Sequence, residues 1–430
     1  MELFPDSGRF SFLQGHEIGI SGNTGGSQGP HLHFEIRDRK TQIPKNPFIF
    51  FPHIKDSIPP RTRVLSIFKK DPRFDFFTFL DSSSANNPLF HVNADTVYVS
   101  LFVEDPSGEN NLGIYAMQLF QDDSLLYSFS YDQFSFDETK YVNAHTHPTG
   151  MLGTDGLAHQ LFKLPGDRFS VYKEAGVGKM VLQENDTMHF QLKAFDYVGN
   201  FTTLLFEIVY HPGLPSPRQL VRKAIPFDQP FEQKGGSGVK LNVPVFALYQ
   251  DLPLTKIGFK KSKILLSGIY SFLDSLKVPL HNTAKIQIPF QSPPEIELEK
   301  IQLIRVNGKT NNIEEYISPD TIVNDVLKAR IRKAGLYSVG FDTIAPIVEP
   351  IFHYVDTIDQ QDYYSCKISD KQSGIKKYRV TENQQWILAS YDAKSGLLRW
   401  KKSHTEFRLK TFNIEVEDMC KNKVVLEWRE

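Results

Sequence analysis

The chain has 430 residues, of which 49 are Lys or Arg and 50 are Asp or Glu, so its net charge is -1. That balance excludes a global electrostatic field for nucleic acid or for an anionic membrane. No apolar run approaches the roughly 20 residues of a membrane-spanning helix. Aromatic residues make up 13%, with 34 Phe and 17 Tyr, which favours pleated, half-buried strands. The length suggests about three or four domains.

The first informative stretch is Gly15 to Glu35, GHEIGISGNTGGSQGPHLHFE. If its end is a strand, His31, His33 and Glu35 share one face, and Leu32, Phe34 and Ile36 share the other. The apolar set would enter a core and leave two imidazoles in a groove, as a metal ligand and a proton-transferring partner. Residues 22–30 carry four glycines, a backbone that tolerates positive φ and the close approach of a substrate chain. No Gly-Lys-Ser/Thr follows, so the loop is not a phosphate cradle.

The whole string resembles the C-terminal half of lysostaphin/LytM-type peptidases, zinc enzymes that cleave peptidoglycan cross-link peptides. Gly15-x-x-Ile18-Gly19, Ser21-Gly22-Asn23-Thr24-Gly25 and Gly29-Pro30-His31-Leu32-His33-Phe34-Glu35 follow that pattern without interruption. The resemblance implies that His33 ligates one zinc ion and that His31 is the catalytic histidine near the scissile carbonyl. Glu35 reads as structural or exposed, and His16 as a surface residue. The family draws its other two protein ligands from an upstream His-x-x-x-Asp and a further histidine from Tyr-x-His-Leu. Before His31 this chain holds only His16 and Asp6 of those residue types. A catalytic zinc needs about three protein ligands, so the chain by itself is expected to be inactive. Residues 1–5 lack the regions of a signal peptide, and a cell-wall enzyme needs export. The expectation is a parent protein that starts further upstream, carries its export signal there, and works in the periplasm or cell envelope. The alternative is a non-catalytic LytM-like envelope protein that binds peptidoglycan or regulates a cell-wall hydrolase.

An internal repeat follows the motif. Asp56-Ser57-Ile58-Pro59-Pro60 recurs as Asp342-Thr343-Ile344-Ala345-Pro346, and its prolines mark a lead-in to a new domain. The strand Val97 to Asp105, with Pro106-Ser107-Gly108 after it, is matched by Tyr363 to Asp370 with Ser373-Gly374-Ile375. Ala194-Phe195-Asp196-Tyr197-Val198-Gly199-Asn200 is matched by Val416-Glu417-Asp418-Met419-Cys420-Lys421-Asn422. Three elements in the same order argue for two related immunoglobulin-like sandwiches, the first enlarged around Tyr131 to Asp167. A peptidase followed by β modules also resembles larger envelope peptidases of Bacteroidota-type bacteria.

The expected class is all-β: a LytM-type remnant at residues 1–52, a sandwich with an insertion at 53–213, a linker at 214–238, a β-rich module at 239–341 and a sandwich at 342–430. Short turns or helices are expected at Ile317 to Leu327 and Ile269 to Leu276. His145-Thr146-His147 reads as a surface loop. Asp105, Asp196, Asp370 and Asp418, at separate strand ends, read as turn residues and not as calcium ligands. Trp386, Trp400 and Trp428 read as core, and Lys256 to Lys263 as a solvated face. Cys366 and Cys420 read as two buried small side chains in preference to a disulfide.

Overall fold

The computed structural model describes residues 9, 11–19, 31–51, 55–69, 76–81, 87–107, 110–148, 157–173, 176–213, 224–262, 264–273, 279–356, 361–402 and 411–429. The chain divides into two units, one of Glu35–Phe341 and one of Met1–Phe34 with Asp342–Glu430. The architecture is all-β, as the aromatic-rich alternation implies, and the α-helix among the described residues is the single turn Val142–His145.

Within residues 35–341, the first module is a sandwich of two sheets. One sheet runs Thr146–Pro148, Leu157–Gln160, Thr96–Ser107, Arg61–Phe68, Phe76–Asp81. The other runs Leu89–Val92, Phe201–Tyr210, Thr187–Phe195, Ala116–Gln121, Ser124–Ser130. Period-two side chains fill the space between them. Phe190, Leu192 and Ala194 point inward from one strand and Leu204, Phe206 and Ile208 from its antiparallel partner. Phe190 and Phe206 are opposite each other and stacked at 5.3 Å between ring centroids.

A strap precedes this sandwich in the chain and is fastened to it. Ile36–Arg37 pairs with Pro44–Lys45, and residues 47–50 form a 3-10 turn that Asn46 caps by accepting from the Phe48 amide. Asn46 donates through its own amide to the Asp132 carbonyl at 2.8 Å and through its side chain to the Tyr131 carbonyl at 3.3 Å. Phe48 stacks on Tyr197 at 5.2 Å, and the Tyr197 hydroxyl donates to the Phe48 carbonyl.

The second module begins earlier than its apolar runs suggest. The expected linker, residues 214–238, contributes Ala224–Ile225 and Phe231–Lys234, the latter paired in register with Lys240–Val243. That strand alternates half-buried and exposed side chains at a sheet edge, so it carries little hydrophobic signal. Its sheet continues with Pro279–Pro289, Val326–Lys333 and Thr321–Val323, facing a sheet of Gly258–Lys260, Ile269–Phe272, Gly335–Phe341, Ile301–Val306 and Ile313–Ile317. The stretches expected as turns or helices at 317–327 and 269–276 are largely strand where described. Asn324 and Asp325, with φ of 49° and 56°, make the tight turn of a two-residue hairpin, a conformation that Asn and Asp accept at low cost.

The first and second modules share a packed junction. Tyr249 of the second is buried with Ala144, Phe162 and Leu164 of the first, and its hydroxyl donates to the Lys140 carbonyl. The Gly166 amide donates to the Tyr249 carbonyl at 2.7 Å, an approach so close that a Cβ on Gly166 would stand 2.7 Å from that oxygen. Tyr141 stacks on His281 at 4.8 Å beside them.

In the other unit, residues 342–430 form a second, smaller sandwich. Ile347–Val348, Asp362–Ser369, Leu397–Lys401 and Ala389–Asp392 face Gln385–Ile387, Ile375–Glu382, Thr411–Asp418 and Lys423–Arg429. Tyr364, Trp400 and Phe412 fill its core with Trp428 against them. Cys366 and Cys420 are both buried and are not joined in a disulfide, and burial pushes the Cys366 thiol up to about 12.

Candidate functional site

Residues 20–30, which hold the whole glycine loop, lie outside the described residues. His31, His33 and Glu35 are not in a paired strand, which begins only at Ile36. The expected division into a polar and a core face is therefore absent here: Leu32 is 80% exposed, Phe34 is exposed too, and both histidines face solvent. Among the described residues no strand pairs with 31–35, and alternation buries a face only where a strand packs against a neighbour. Glu35 is half-buried and accepts from the Arg37 guanidinium at 2.6 Å, in line with a structural role. His16 is exposed as expected, its Nδ1 accepting from the Leu13 amide at 3.4 Å. Among the described residues, groups of three or more close candidate ligands contain no histidine.

The repeated aspartates behave differently. Asp56, Asp105 and Asp196 each offer a carboxylate oxygen such that all three lie within 4.8 Å of one another, and Asp342, Asp370 and Asp418 do the same. The expectation that these aspartates stand isolated fails, because each lead-in segment brings its own Asp to the point where two strands end. The two copies share a hydrogen-bond plan. The Asn200 amide donates to Asp196 Oδ1 at 2.8 Å, and its side chain donates to Asp196 Oδ2 at 2.7 Å and to the Asp56 carbonyl at 3.2 Å. Asn422 repeats these contacts with Asp418 at 2.8 and 2.7 Å and with the Asp342 carbonyl at 3.1 Å. Turn chemistry is thus present, as expected, and it orients the carboxylates.

The copies differ at the middle aspartate. Asp370 Oδ1 accepts from the Gln372 amide at 2.9 Å and the Gly374 amide at 2.7 Å. Asp105 is 3% exposed and its Oδ1 has no hydrogen-bond partner among the described residues. Burial, then the charges of Asp196 and Asp56, push the Asp105 carboxyl up to about 6.

The second His-x-His is also not a surface loop. His145 is fully buried at the end of the one-turn helix, while the side chain of His147 lies outside the described residues. The Tyr172 hydroxyl donates to Asp167, so it accepts from His145 Nδ1 at 3.3 Å, and His145 Nε2 accepts from His159 Nδ1 at 3.2 Å. Trp400 and Trp428 sit in or against the core as expected, but Trp386 is 61% exposed along a shallow groove with Lys377, Arg379, Glu415 and Glu417.

Residues 227–342, the second module, match the Zu5-like domain family. No curated protein matches the chain. Among solved structures, the chain is similar to SGBP-B of the Bacteroides ovatus mixed-linkage glucan utilization locus, solved with a mixed-linkage heptasaccharide. The identity is 11% over 87% of this chain and 70% of that one, with a TM-score of 0.15. A 1.5-MDa bacterial ice-binding adhesin matches at 8% over 88% and 98%, with a TM-score of 0.16. Sidekick-1 immunoglobulin domains 1-4 match at 9% over 87% and 99%, with a TM-score of 0.15. At such scores the fold assignment rests on the strand pairing itself.

Proposed function

We propose that this chain belongs to a zinc-dependent endopeptidase of the lysostaphin/LytM type that hydrolyses peptide cross-links of bacterial peptidoglycan in the periplasm or cell envelope. The single observation that carries this reading is the unbroken run from Gly15 through Gly29-Pro30-His31-Leu32-His33-Phe34-Glu35. In this reading His33 is one ligand of a single zinc ion and His31 is the catalytic histidine. In that family the remaining ligands come from a His-x-x-x-Asp segment ahead of the glycine loop, and residues 1–30 contain no such pattern. Bound zinc would act as a Lewis acid toward the scissile carbonyl and its attacking water.

The strap fits the same reading. The residues that directly follow the motif in sequence are held on the first sandwich by Asn46, Phe48 and Tyr197. The β modules then serve as the platform that follows the peptidase, with peptidoglycan peptides as the substrate. Expression of the gene together with its upstream reading frame tests the proposal. Tight zinc binding and release of muropeptides, both lost on His33→Ala, are the expected results. A protein that binds no zinc and releases nothing from peptidoglycan would instead be the non-catalytic envelope protein that binds the wall or regulates a hydrolase.

A further inference from the structure

We propose that Asp56, Asp105 and Asp196 hold one calcium ion in the first module, fastening the lead-in segment to two strand ends. This inference stands apart from the peptidase reading and uses none of its residues.

Two ligands at 2.4 Å from a common ion are at most 4.8 Å apart, and calcium takes oxygen at about 2.3 to 2.6 Å. The three carboxylate oxygens meet that bound. They come from positions separated by 49 and 91 residues, so the fold and not local sequence brings them together. The independent sign of a ligand is Asp105 Oδ1, which is buried, has no hydrogen-bond donor among the described residues and stands beside two like charges. A buried carboxylate oxygen left in that state is costly, and a cation among the three groups reverses the sign of every interaction.

The donor set selects the ion. It is all carboxylate oxygen, without thiolate or imidazole, which suits a hard cation and not zinc. Calcium accepts six to eight oxygens in irregular geometry, whereas magnesium demands a near-octahedral shell and releases its water reluctantly. Local amides already orient two of the groups: Ile58 donates to Asp56 Oδ1 at 3.0 Å, and Gly199 donates to Asp196 Oδ1 at 2.8 Å. Each carboxylate oxygen keeps lone pairs for a metal. In the third module Asp370 Oδ1 is instead closed by two backbone amides, so the same argument does not extend to that triad.

The test uses the 430-residue chain freed of metal with a chelator. Isothermal titration with calcium chloride is expected to give saturable binding with a dissociation constant on the order of 10⁻⁴ M or tighter. A hundred-fold excess over that constant should raise the first module's thermal midpoint by roughly 5 to 10 °C. Asp105→Asn keeps the shape and removes one charge. The metal-free variant should melt at or above the parent's midpoint, with the stoichiometry reduced by one ion and the first-module shift gone. Asp56→Asn, at a half-buried position, provides a second variant and should weaken calcium at least ten-fold while the fold is kept. An absent calcium shift, an equal shift in Asp105→Asn, an unchanged affinity in Asp56→Asn or an equal response to magnesium chloride would each overturn the proposal.

Discussion

The side chain of Asn200 reaches the backbone carbonyl of Asp56, 144 residues earlier in the chain, at 3.2 Å, and Asn422 reaches Asp342 in the same way at 3.1 Å. Each amide also donates to the carboxylate four residues before it, so one side chain ties the lead-in segment to the end of a β-hairpin. Asn200→Ala leaves the Asp196 and Asp56 oxygens without that donor and should cost about 2 kcal/mol. Asn422→Ala should cost a similar amount in the third module. Denaturant unfolding of both variants checks this, and a loss near zero in either would contradict the shared plan.

Tyr249→Ala should weaken the junction between the first two modules by about 3 to 5 kcal/mol, since a buried aromatic ring and its hydroxyl contact are both removed. Calorimetry should then resolve their unfolding as two steps. Tyr249→Phe should cost only about 1 kcal/mol, the net worth of one hydrogen bond.

Burial, with the neighbouring His159, holds His145 well below the ordinary imidazole range, so it is neutral in the folded protein. The unfolded chain binds this proton below about pH 6.5 and the folded chain does not. The resulting stability is present in full above that pH and is lost as the pH falls toward the folded value. Stability should decline by up to about 2 kcal/mol between pH 6.5 and 5. His145→Gln, which does not titrate, should lower stability overall and flatten this slope in urea titrations.

Cys366 and Cys420 are buried thiols, and burial raises Cys366 to about 12. Ellman's reagent should find neither thiol in the folded protein and both after denaturation without reductant. Two equivalents released from the native protein, or none from the denatured one, would contradict the structure.

Much of the fold was legible because alternation has a physical cause. Runs such as Phe190-Gln191-Leu192-Lys193-Ala194 state which face is buried, and the matched Asp-x-Ile and Asp-to-Asn elements announced two related sandwiches. The edge strand Phe231–Lys234 was illegible because an edge buries little and so selects few apolar residues. The second His-x-His misled because polar spacing says nothing of burial. His145 lies in the core since Tyr172 and His159 satisfy both of its ring nitrogens there.

The candidate sites divide along the same line. The glycine loop with His31 and His33 is a contiguous string, so the peptidase resemblance and the roles proposed for those two histidines rest on sequence alone. Likewise, sequence alone showed that each sandwich carries three aspartates at matching places. Only the tertiary structure decided that those aspartates meet, since strand register and the docking of the lead-in segment set which strand ends become neighbours. Only it separated Asp370, closed by backbone amides, from Asp105, whose Oδ1 is buried without a donor among the described residues. A one-dimensional string records spacing along the chain, whereas electrostatic and metal-binding chemistry depends on distances through space.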